Sequence, residues 1–387
     1  MPIFSTLKLR GSWGKLGNDN IPPFQFAQFY YINPNGRLFY NTNTGSITNY
    51  PAFSPGVVGN PNATWESQTA TNLAVDGGLF DNKLNFTFEV FHQRRNNILA
   101  PPSASVPLYT GITLPYENIG IVDNKGLEAL LSYRGNFGKV NYFISGNVTY
   151  AKNKIIYQDE KLSSKPGYQA LTGQPVGASL FYKAIGVFKT QDEINHYATY
   201  TLGSPPVPGD LKFADINGDG VIDQKDQIVE PLSSIPQIIY GTTIEASYKS
   251  FSVSMLFQGQ AKAVRYFRAV SGRNQNFTLE DYTGRSTPGN ITNKPRAAEV
   301  YGSPQGVPNT YYISNTSFLR LKNLEFAYNI KSEGLKKYGI NGMRVYVNSF
   351  NVFTITKYKG LDPESVDGQG LAYPINRTFN LGASVTF

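Results

Sequence analysis

The chain has no cysteine and only two histidines among its 387 residues. The absence of cysteine excludes disulfides and thiolate metal sites, and it is compatible with a cell envelope that oxidises stray thiols. Only His92 and His196 are available for a Ser-His-Asp or histidine-zinc arrangement, and neither a GxxxxGK nor a GxSxG motif occurs. The sequence therefore predicts no catalytic residues and a protein that is not an enzyme.

Charged residues are also scarce, at 16% of the chain. Lys and Arg outnumber Asp and Glu by 35 to 27, for a net charge of +8. The basic residues are scattered, and the longest clusters are the pairs Lys336-Lys337 and Arg94-Arg95. No nucleic-acid partner is expected from this distribution.

No run of about 18 apolar residues occurs, so a membrane could be crossed only by a β-barrel. Met1 is followed by Pro2-Ile3-Phe4-Ser5, which lacks the basic start and apolar core of a signal peptide. An outer-membrane protein needs such a signal. Either the chain is a fragment that starts at an internal methionine, or an outer-membrane location is wrong.

The chain is instead rich in aromatic residues (14%, with 26 Tyr and 25 Phe) and in turn formers, with 37 Gly and 24 Pro. Apolar and polar residues alternate along much of it, which predicts β-strands joined in hairpins. The clearest alternating runs are Leu73 to Leu79, Leu84 to Val90, Leu127 to Tyr133, Val140 to Tyr150, Tyr240 to Tyr248, Phe251 to Phe257 and Phe379 to Phe387. A further run covers Leu7 to Trp13 at the start, and weaker ones cover Leu319 to Ile330 and Met343 to Thr354.

These runs predict an all-β chain of about ten antiparallel strands whose connections alternate in length. Short turns are expected near residues 80, 136, 249 and 335. Long connections rich in Gly, Pro and Asn are expected over 15–63, 100–116, 154–236, 262–316 and 356–375. Short turns on one side and long loops on the other are typical of a transmembrane β-barrel of the outer membrane, with the loops extracellular.

Aromatic rings fall where the headgroup regions of a membrane would lie. Tyr133, Tyr248, Tyr328 and Phe387 are near short turns, and Tyr150 is near a long loop. Such rings form the aromatic girdles of outer-membrane barrels. The alternative is that they pack in the core of a soluble protein.

Several ordered segments resemble the SusC/RagA-type TonB-linked outer-membrane proteins, which are common in Bacteroidetes. The matching segments are Leu7 to Gly14 with Gly17-Asn18, Trp65-Glu66, Asn118 to Gly120 with Asn124 to Glu128, Gly209 to Phe213 with Asp215 to Gly220, Ser317 to Asn323, Asn351 to Phe353, Lys357 to Gly360 and Arg377 to Phe379. Each is weak by itself, whereas the ordered set spans nearly the whole chain.

The resemblance implies a barrel of about 22 strands filled by a plug, of which this chain is the C-terminal part. It also implies import of glycans or peptides, although the substrate-binding residues stay unknown. The implied partners are a SusD-like surface lipoprotein, the TonB–ExbB–ExbD system acting through a plug absent from this chain, the barrel assembly machinery and outer-membrane lipid. The implied location is the cell outer membrane, crossed many times.

One segment has the spacing of a calcium loop within the predicted loop 154–236, in an insertion over 209–230. Side-chain oxygens recur at loop positions 1, 3, 5, 9 and 12, a backbone carbonyl falls at position 7 and glycine at position 6. The predicted ligands are Asp215, Asn217, Asp219, Val221 through its carbonyl, Asp223 and Asp226. A structural Ca²⁺ would relieve the repulsion among the four carboxylates. The alternative is a surface turn rich in Asp and Asn that needs no metal.

The final alternating run predicts an assembly signal, because it ends on an aromatic residue. The residues assigned to this signal are Phe379, Leu381, Val385 and Phe387.

Two other functions stay open. A barrel enzyme of the outer-membrane protease or lipase kind would need acidic or histidine pairs near the loop ends of strands, and the sequence shows none. A calcium-binding extracellular β-sandwich, acting as an adhesin or carbohydrate-binding protein, would explain the calcium pattern but not the apolar bands.

Overall fold

The computed structural model of the chain describes residues 3–102, 114–160, 166–231, 233–267, 279–297, 303–358, 360–365 and 373–387. Strands make up most of the described residues, and none of the described helices is long and apolar enough to cross a membrane. Lys359, from one of the family-like segments, lies outside the described residues, as do parts of all the predicted long loops except 15–63.

Ten strands form one large sheet. They are β1 (Phe4–Asn18), β4 (Glu66–Leu79), β5 (Leu84–Ala100), β6 (Glu117–Phe137), β7 (Val140–Tyr157), β14 (Ile238–Tyr248), β15 (Phe251–Ala261), β20 (Phe318–Ile330), β21 (Gly342–Thr356) and β22 (Thr378–Thr386).

Short strands and helices occupy the connections. The strands are β2 (Tyr30–Asn41), β3 (Ser46–Pro55), β8 (Ser179–Tyr182), β9 (Ala184–Val187), β10 (Thr199–Tyr200), β11 (Leu211–Phe213), β12 (Val221–Ile222), β13 (Gln227–Glu230), β16 (Val264–Tyr266), β17 (Arg285–Ser286), β18 (Lys294–Arg296) and β19 (Ile313–Asn315). The helices are α1 (Gln191–Asn195), α2 (Leu279–Tyr282) and α3 (Glu333–Lys336).

The large sheet follows chain order, β1-β4-β5-β6-β7-β14-β15-β20-β21-β22, and every neighbouring pair is antiparallel. The expectation of about ten antiparallel strands is confirmed. Its connections alternate as predicted: four short ones, 80–83, 138–139, 249–250 and 331–341, face one end, and the long ones face the other. We call these the short-turn end and the long-loop end.

Some predicted boundaries were wrong, because strands continue through residues with loop-like composition. The turn expected near residue 136 is Gly138-Lys139, since β6 pairs with β7 through Phe137. Gly138 takes φ 58°, a left-handed conformation that suits the first position of a tight two-residue hairpin. At the long-loop end, β1 extends to Asn18 and β7 to Tyr157, so both adjoining loops start later than predicted.

The sheet has one apolar and one polar face. A register row across six neighbouring strands shows the apolar face, and it consists of Leu9, Val75, Phe88, Ala129, Val148 and Tyr240. These side chains alternate with polar ones such as Asp76 and Asn147, which point to the opposite face.

The apolar face is uncovered in the described part of the chain. Leu9 is 72% exposed, Phe326 56% and Leu381 78%. Tyr248 is 46% exposed and Phe387 80%, so the alternative that the rings pack in a soluble core is wrong for them. No second sheet of comparable size occurs among the described residues, and the β-sandwich alternative is therefore not supported.

Candidate functional site in the long loops

The main buried hydrophobic cluster lies in the long loops and not in the sheet. We call residues 166–231, 279–297 and 303–316 together the loop unit. Within it, β8 pairs with β13, β9 with β11 and β10 with β12. The buried residues of its core are Tyr182, Val187, Phe188, Tyr200, Leu211, Phe213 and Ile222. The predicted loop 154–236 therefore contains a folded core of its own.

Aromatic rings organise this core. The rings of Tyr182 and Phe213 stack with centroids 5.4 Å apart, and Phe188 meets Tyr200 edge to face at 5.8 Å. The Tyr200 hydroxyl accepts a hydrogen bond from the Phe213 N–H at 2.7 Å. Burial, with the nearby Asp223 carboxylate, raises the pKa of Tyr182 to about 12, and burial also raises the pKa of Tyr200.

An ion pair between a buried carboxylate and a half-buried arginine joins the two long connections of the loop unit. Asp210 is fully buried and lies 2.5 Å from Arg296 Nε. The same carboxylate accepts hydrogen bonds from Gln305 Nε2 at 2.6 Å and from the Val207 N–H at 2.9 Å. A buried carboxylate with three such partners is satisfied, whereas loss of one partner would leave buried charge uncompensated. Sequence reasoning missed this role, although Asp210 lies in a segment that carried the family resemblance.

The calcium-like loop is folded tightly around its own backbone. Asp215 accepts hydrogen bonds from the N–H groups of Gly218 at 2.7 Å and Gly220 at 2.9 Å. Gly220 takes φ 79°, which agrees with the sharp turn expected at loop position 6. Asp219 accepts from the Val221 N–H at 2.9 Å and from Asn217 Nδ2 at 2.8 Å. The predicted ligand residues at positions 1, 3, 5 and 7 thus share one compact turn.

Asp226 closes this loop from its other end. It is fully buried and accepts hydrogen bonds from the N–H groups of Ile216 and Asp223, both at 2.8 Å. Asp223 in turn accepts from the Lys225 N–H at 2.7 Å, which caps the short helix over 224–226. Position 12 is therefore joined both to the start of the loop, through Ile216, and to the backbone of position 9.

The described residues include no group of three or more His, Cys, Asp or Glu side chains arranged to hold a metal ion. The negative charges of this loop nevertheless act on one neighbouring group, Tyr168. Burial and the charges of Asp226, Asp223, Asp219 and Asp215 raise the pKa of Tyr168, whose hydroxyl donates to the Lys225 carbonyl at 2.5 Å. Each carboxylate oxygen can accept more than one contact, so the N–H bonds leave lone pairs for a cation.

The polar face of the sheet carries ion pairs. Arg10 on β1 lies 2.6 Å from Asp76 on β4 and 3.4 Å from Glu89 on β5. Glu128 is directly opposite Glu89 in the β5–β6 register. Lys8 lies opposite Asp76 on the same face, so three carboxylates accompany two basic residues and acidic charge is in slight excess.

A second set of charges fastens the connection between β21 and β22 to the polar face. Arg320 is 2% exposed and pairs with Asp362 at 2.7 Å and with Glu364. Lys322 lies 3.9 Å from Glu364. These contacts hold residues 360–365 against β20, and we call this segment the strap. The role of Arg320 was also missed, because the pairing joins residues more than 40 positions apart.

The two histidines are in separate places. His92 follows Phe88 and Val90 on the apolar face of β5, near the long-loop end, and its Nε2 lies 3.5 Å from Asp123. His196 follows α1 and lies 3.3 Å from Asp192 at the exposed surface. The residues assigned to the assembly signal are exposed: Phe379 by 68%, Leu381 by 78%, Val385 by 40% and Phe387 by 80%. They follow the apolar face of β22, the last strand of the sheet.

Comparison with known proteins gives a consistent result. The TonB-dependent receptor P26 of Formosa agariphila is 30% identical over 99% of this chain and 40% of its own length. The TonB-dependent receptor SusC of Bacteroides thetaiotaomicron is 28% identical over 100% of this chain and 38% of its own length. No family model matches the chain.

Solved structures support the fold. The RagAB peptide transporter superposes with a TM-score of 0.75 at 23% identity, covering 100% of this chain and 41% of the matched one. The RagAB peptide importer in its closed-closed state gives 0.74. The chain spans about 40% of the length of the curated relatives it matches. It is thus related along nearly its whole length to TonB-dependent receptors of the SusC/RagA type, and its sheet has the fold of the matching part of such a barrel.

Proposed function

We propose that this chain forms part of the wall and the extracellular cap of an outer-membrane barrel that imports nutrients. The observation that carries the proposal is the exposed apolar face of the ten-stranded sheet. An uncovered apolar surface of this size would be unfavourable in water but is matched to lipid. The polar face, with its ion pairs and strap, would then face the barrel interior.

The cargo proposed is a glycan or a peptide, and the energy would come from TonB–ExbB–ExbD acting on a plug outside this chain. A SusD-like surface lipoprotein would cover the long-loop end. Support comes from the relatives: one is a SusC receptor, and the superposed RagAB is described as a peptide transporter. The loop unit would supply part of the surface that such a lipoprotein covers.

This chain contains no cysteine, so single thiols introduced into it test this orientation once any cysteine elsewhere in the full-length protein is replaced. Ser204→Cys places one thiol in the loop unit, and Tyr338→Cys places one at the short-turn end, where Tyr338 is 83% exposed. A membrane-impermeant maleimide should label the Ser204 variant of the full-length protein in intact cells. It should label the Tyr338 variant only after the outer membrane is permeabilised. Equal labelling of both variants in intact cells would contradict the proposal.

Uptake gives a second test. A strain that lacks the full-length gene should fail to grow on at least one glycan or peptide source that supports its parent, and complementation should restore growth. Identical growth of the deletion strain and its parent on every source would contradict a role in import. Loss of growth that is not accompanied by loss of uptake would also contradict it.

We further propose that the calcium-like loop binds one structural Ca²⁺. The ligands would be Asp215, Asn217, Asp219, the Val221 carbonyl, Asp223 and Asp226. The proposal is supported by their spacing, by the left-handed Gly220 and by the backbone N–H groups that Asp215, Asp219 and Asp226 bind within one short loop. The ion would reduce the repulsion among the carboxylates and stabilise this edge of the loop unit.

A further inference from the structure

The short-turn end is strongly basic. Its four connections, residues 80–83, 138–139, 249–250 and 331–341, contain six lysines and only two carboxylates. The lysines are Lys83, Lys139, Lys249, Lys331, Lys336 and Lys337, and the carboxylates are Asp81 and Glu333. These few residues carry a net +4, which is half of the chain's net charge of +8.

These lysines are exposed, and most lack a carboxylate partner. All six are exposed. Among the residues that the structure describes, only Lys336 forms an ion pair, with Glu333 at 2.8 Å. Positive charge without a carboxylate partner recurs at every short turn, so it is available to an anionic partner outside the chain.

An apolar groove begins directly at two of these turns. It has a volume of about 400 Å³ and lies on the apolar face. Its lining includes Val140, Tyr248, Phe251, Phe326, Tyr328 and Val347. Val140 follows the turn 138–139, and Tyr248 and Phe251 flank the turn 249–250.

Charge and groove meet at Lys249. Its Nζ lies 5.3 Å from the centre of the Tyr248 ring, which is at the mouth of the groove. The Phe251 and Tyr328 rings pack with centroids 4.7 Å apart and form one side of the same opening. A cation at the rim of an apolar groove is complementary to a molecule that has an anionic head and hydrocarbon tails.

We propose that the short-turn end binds anionic phospholipid, with acyl chain in the groove and the headgroup phosphate on Lys139 and Lys249. The remaining turn lysines extend this basic rim around the wall. The inference rests on the proposed function, because it requires the apolar face to lie in a bilayer. In addition, the rim at the short-turn end would prefer lipids whose headgroup is negatively charged. A zwitterionic headgroup would leave the net +4 without a counter-charge.

Three lysines test the proposal in the full-length protein. The rim variant combines Lys139→Gln, Lys249→Gln and Lys337→Gln. The matched control combines Lys15→Gln, Lys183→Gln and Lys357→Gln, three exposed lysines away from the short-turn end. Each protein would be reconstituted in phosphatidylethanolamine bilayers with and without phosphatidylglycerol. Native mass spectrometry would then count the lipids that stay bound.

The wild type and the control should retain phosphatidylglycerol in preference to phosphatidylethanolamine. The rim variant should lose affinity by about fivefold for each lysine removed, as expected for basic residues at an anionic surface. Added salt should weaken the wild-type preference, because the lysines are exposed. Val347→Trp, which fills the groove, should reduce retention without changing the net charge.

Equal phosphatidylglycerol retention by the rim variant and the control would overturn the proposal. So would a wild-type preference that salt leaves unchanged, a result that stands even if the rim variant does not fold. A wild type that does not insert into any bilayer would instead contradict the proposed function. Heat-modifiable migration of the inserted protein separates the two failures.

Discussion

Asp219 lies at the centre of the calcium-like loop and contacts both the Val221 N–H and Asn217. Asp219→Ala removes one carboxylate ligand, so we expect calcium affinity to fall on the order of tenfold or more. Protease cleavage within 154–236 should become faster, while the heat-modifiable migration of the barrel stays unchanged, because loop stability is separable from that of the wall. Calorimetry and limited proteolysis on the full-length protein measure both effects.

The matched control is Asp192→Ala, which removes an exposed carboxylate of the same loop unit outside the calcium-like loop. This variant should bind calcium as the wild type does. Equal calcium binding by the Asp219→Ala variant and the wild type would refute the site. The segment would then be a surface turn that binds no metal.

Ionisation of Tyr182 should destabilise the loop unit at alkaline pH. Its pKa rises from 10.0 to about 12 through burial. Because folding favours the neutral phenol, its contribution to stability is complete below pH 10 and is lost as the pH rises from 10 toward about 12. Limited proteolysis across this range should show cleavage of the loop unit increasing at high pH. Tyr182→Phe should move that onset to higher pH, whereas the exposed Tyr338→Phe should leave it unchanged.

Individual site residues could be predicted only where they are close in sequence. The calcium-like spacing is local, and the structure places its residues in one compact turn. The contacts of Asp210 with Arg296 and of Arg320 with Asp362 join residues 86 and 42 positions apart. Nothing in a single sequence specifies such pairings, because any of many arginines could satisfy either carboxylate.

The last strand of the sheet, β22, pairs only with β21 among the residues that the structure describes. We predict that deletion of Phe387 from the full-length protein reduces insertion into the outer membrane, because this exposed ring ends the apolar alternation at the short-turn end. Phe387→Tyr keeps an aromatic ring and should insert normally. Quantification of surface-exposed protein in intact cells measures the effect. Wild-type surface levels after the deletion would show that Phe387 is not part of an assembly signal.

Among the secondary-structure elements, the strands of the large sheet could be predicted from the sequence, whereas those of the loop unit could not. Period-two alternation in β5 or β7 indicates a strand with one apolar and one polar face. Phe188, Leu211 and Phe213 instead lie in Gly- and Pro-rich sequence without any period. Leu211 and Phe213 lie on β11, which pairs with β9 across more than 20 residues of chain.

The whole sheet has two outer strands, β1 and β22, whose far edges are unpaired among the described residues. Each unpaired backbone group costs several kcal/mol in lipid, so we predict that this chain expressed alone forms no closed, transport-competent barrel. Detergent refolding followed by unheated gel electrophoresis tests this. Co-refolding with the remaining part of the full-length protein should restore a heat-modifiable species. Folded, heat-modifiable monomers of this chain alone would contradict the prediction.

Under the proposed function, in which the polar face lines the barrel interior, the strap has a consequence for the solutes that would pass it. Arg320 and Lys322 supply two positive charges, and Asp362 and Glu364 supply two negative ones within the same cluster. The cluster has no net charge, so its electric field falls with distance more steeply than that of a single ion. At the strap, the passage of a solute would depend on its shape and its hydrogen bonding more than on its charge. Near Arg10, where Asp76, Glu89 and Glu128 leave negative charge in slight excess, the sign of its charge would count.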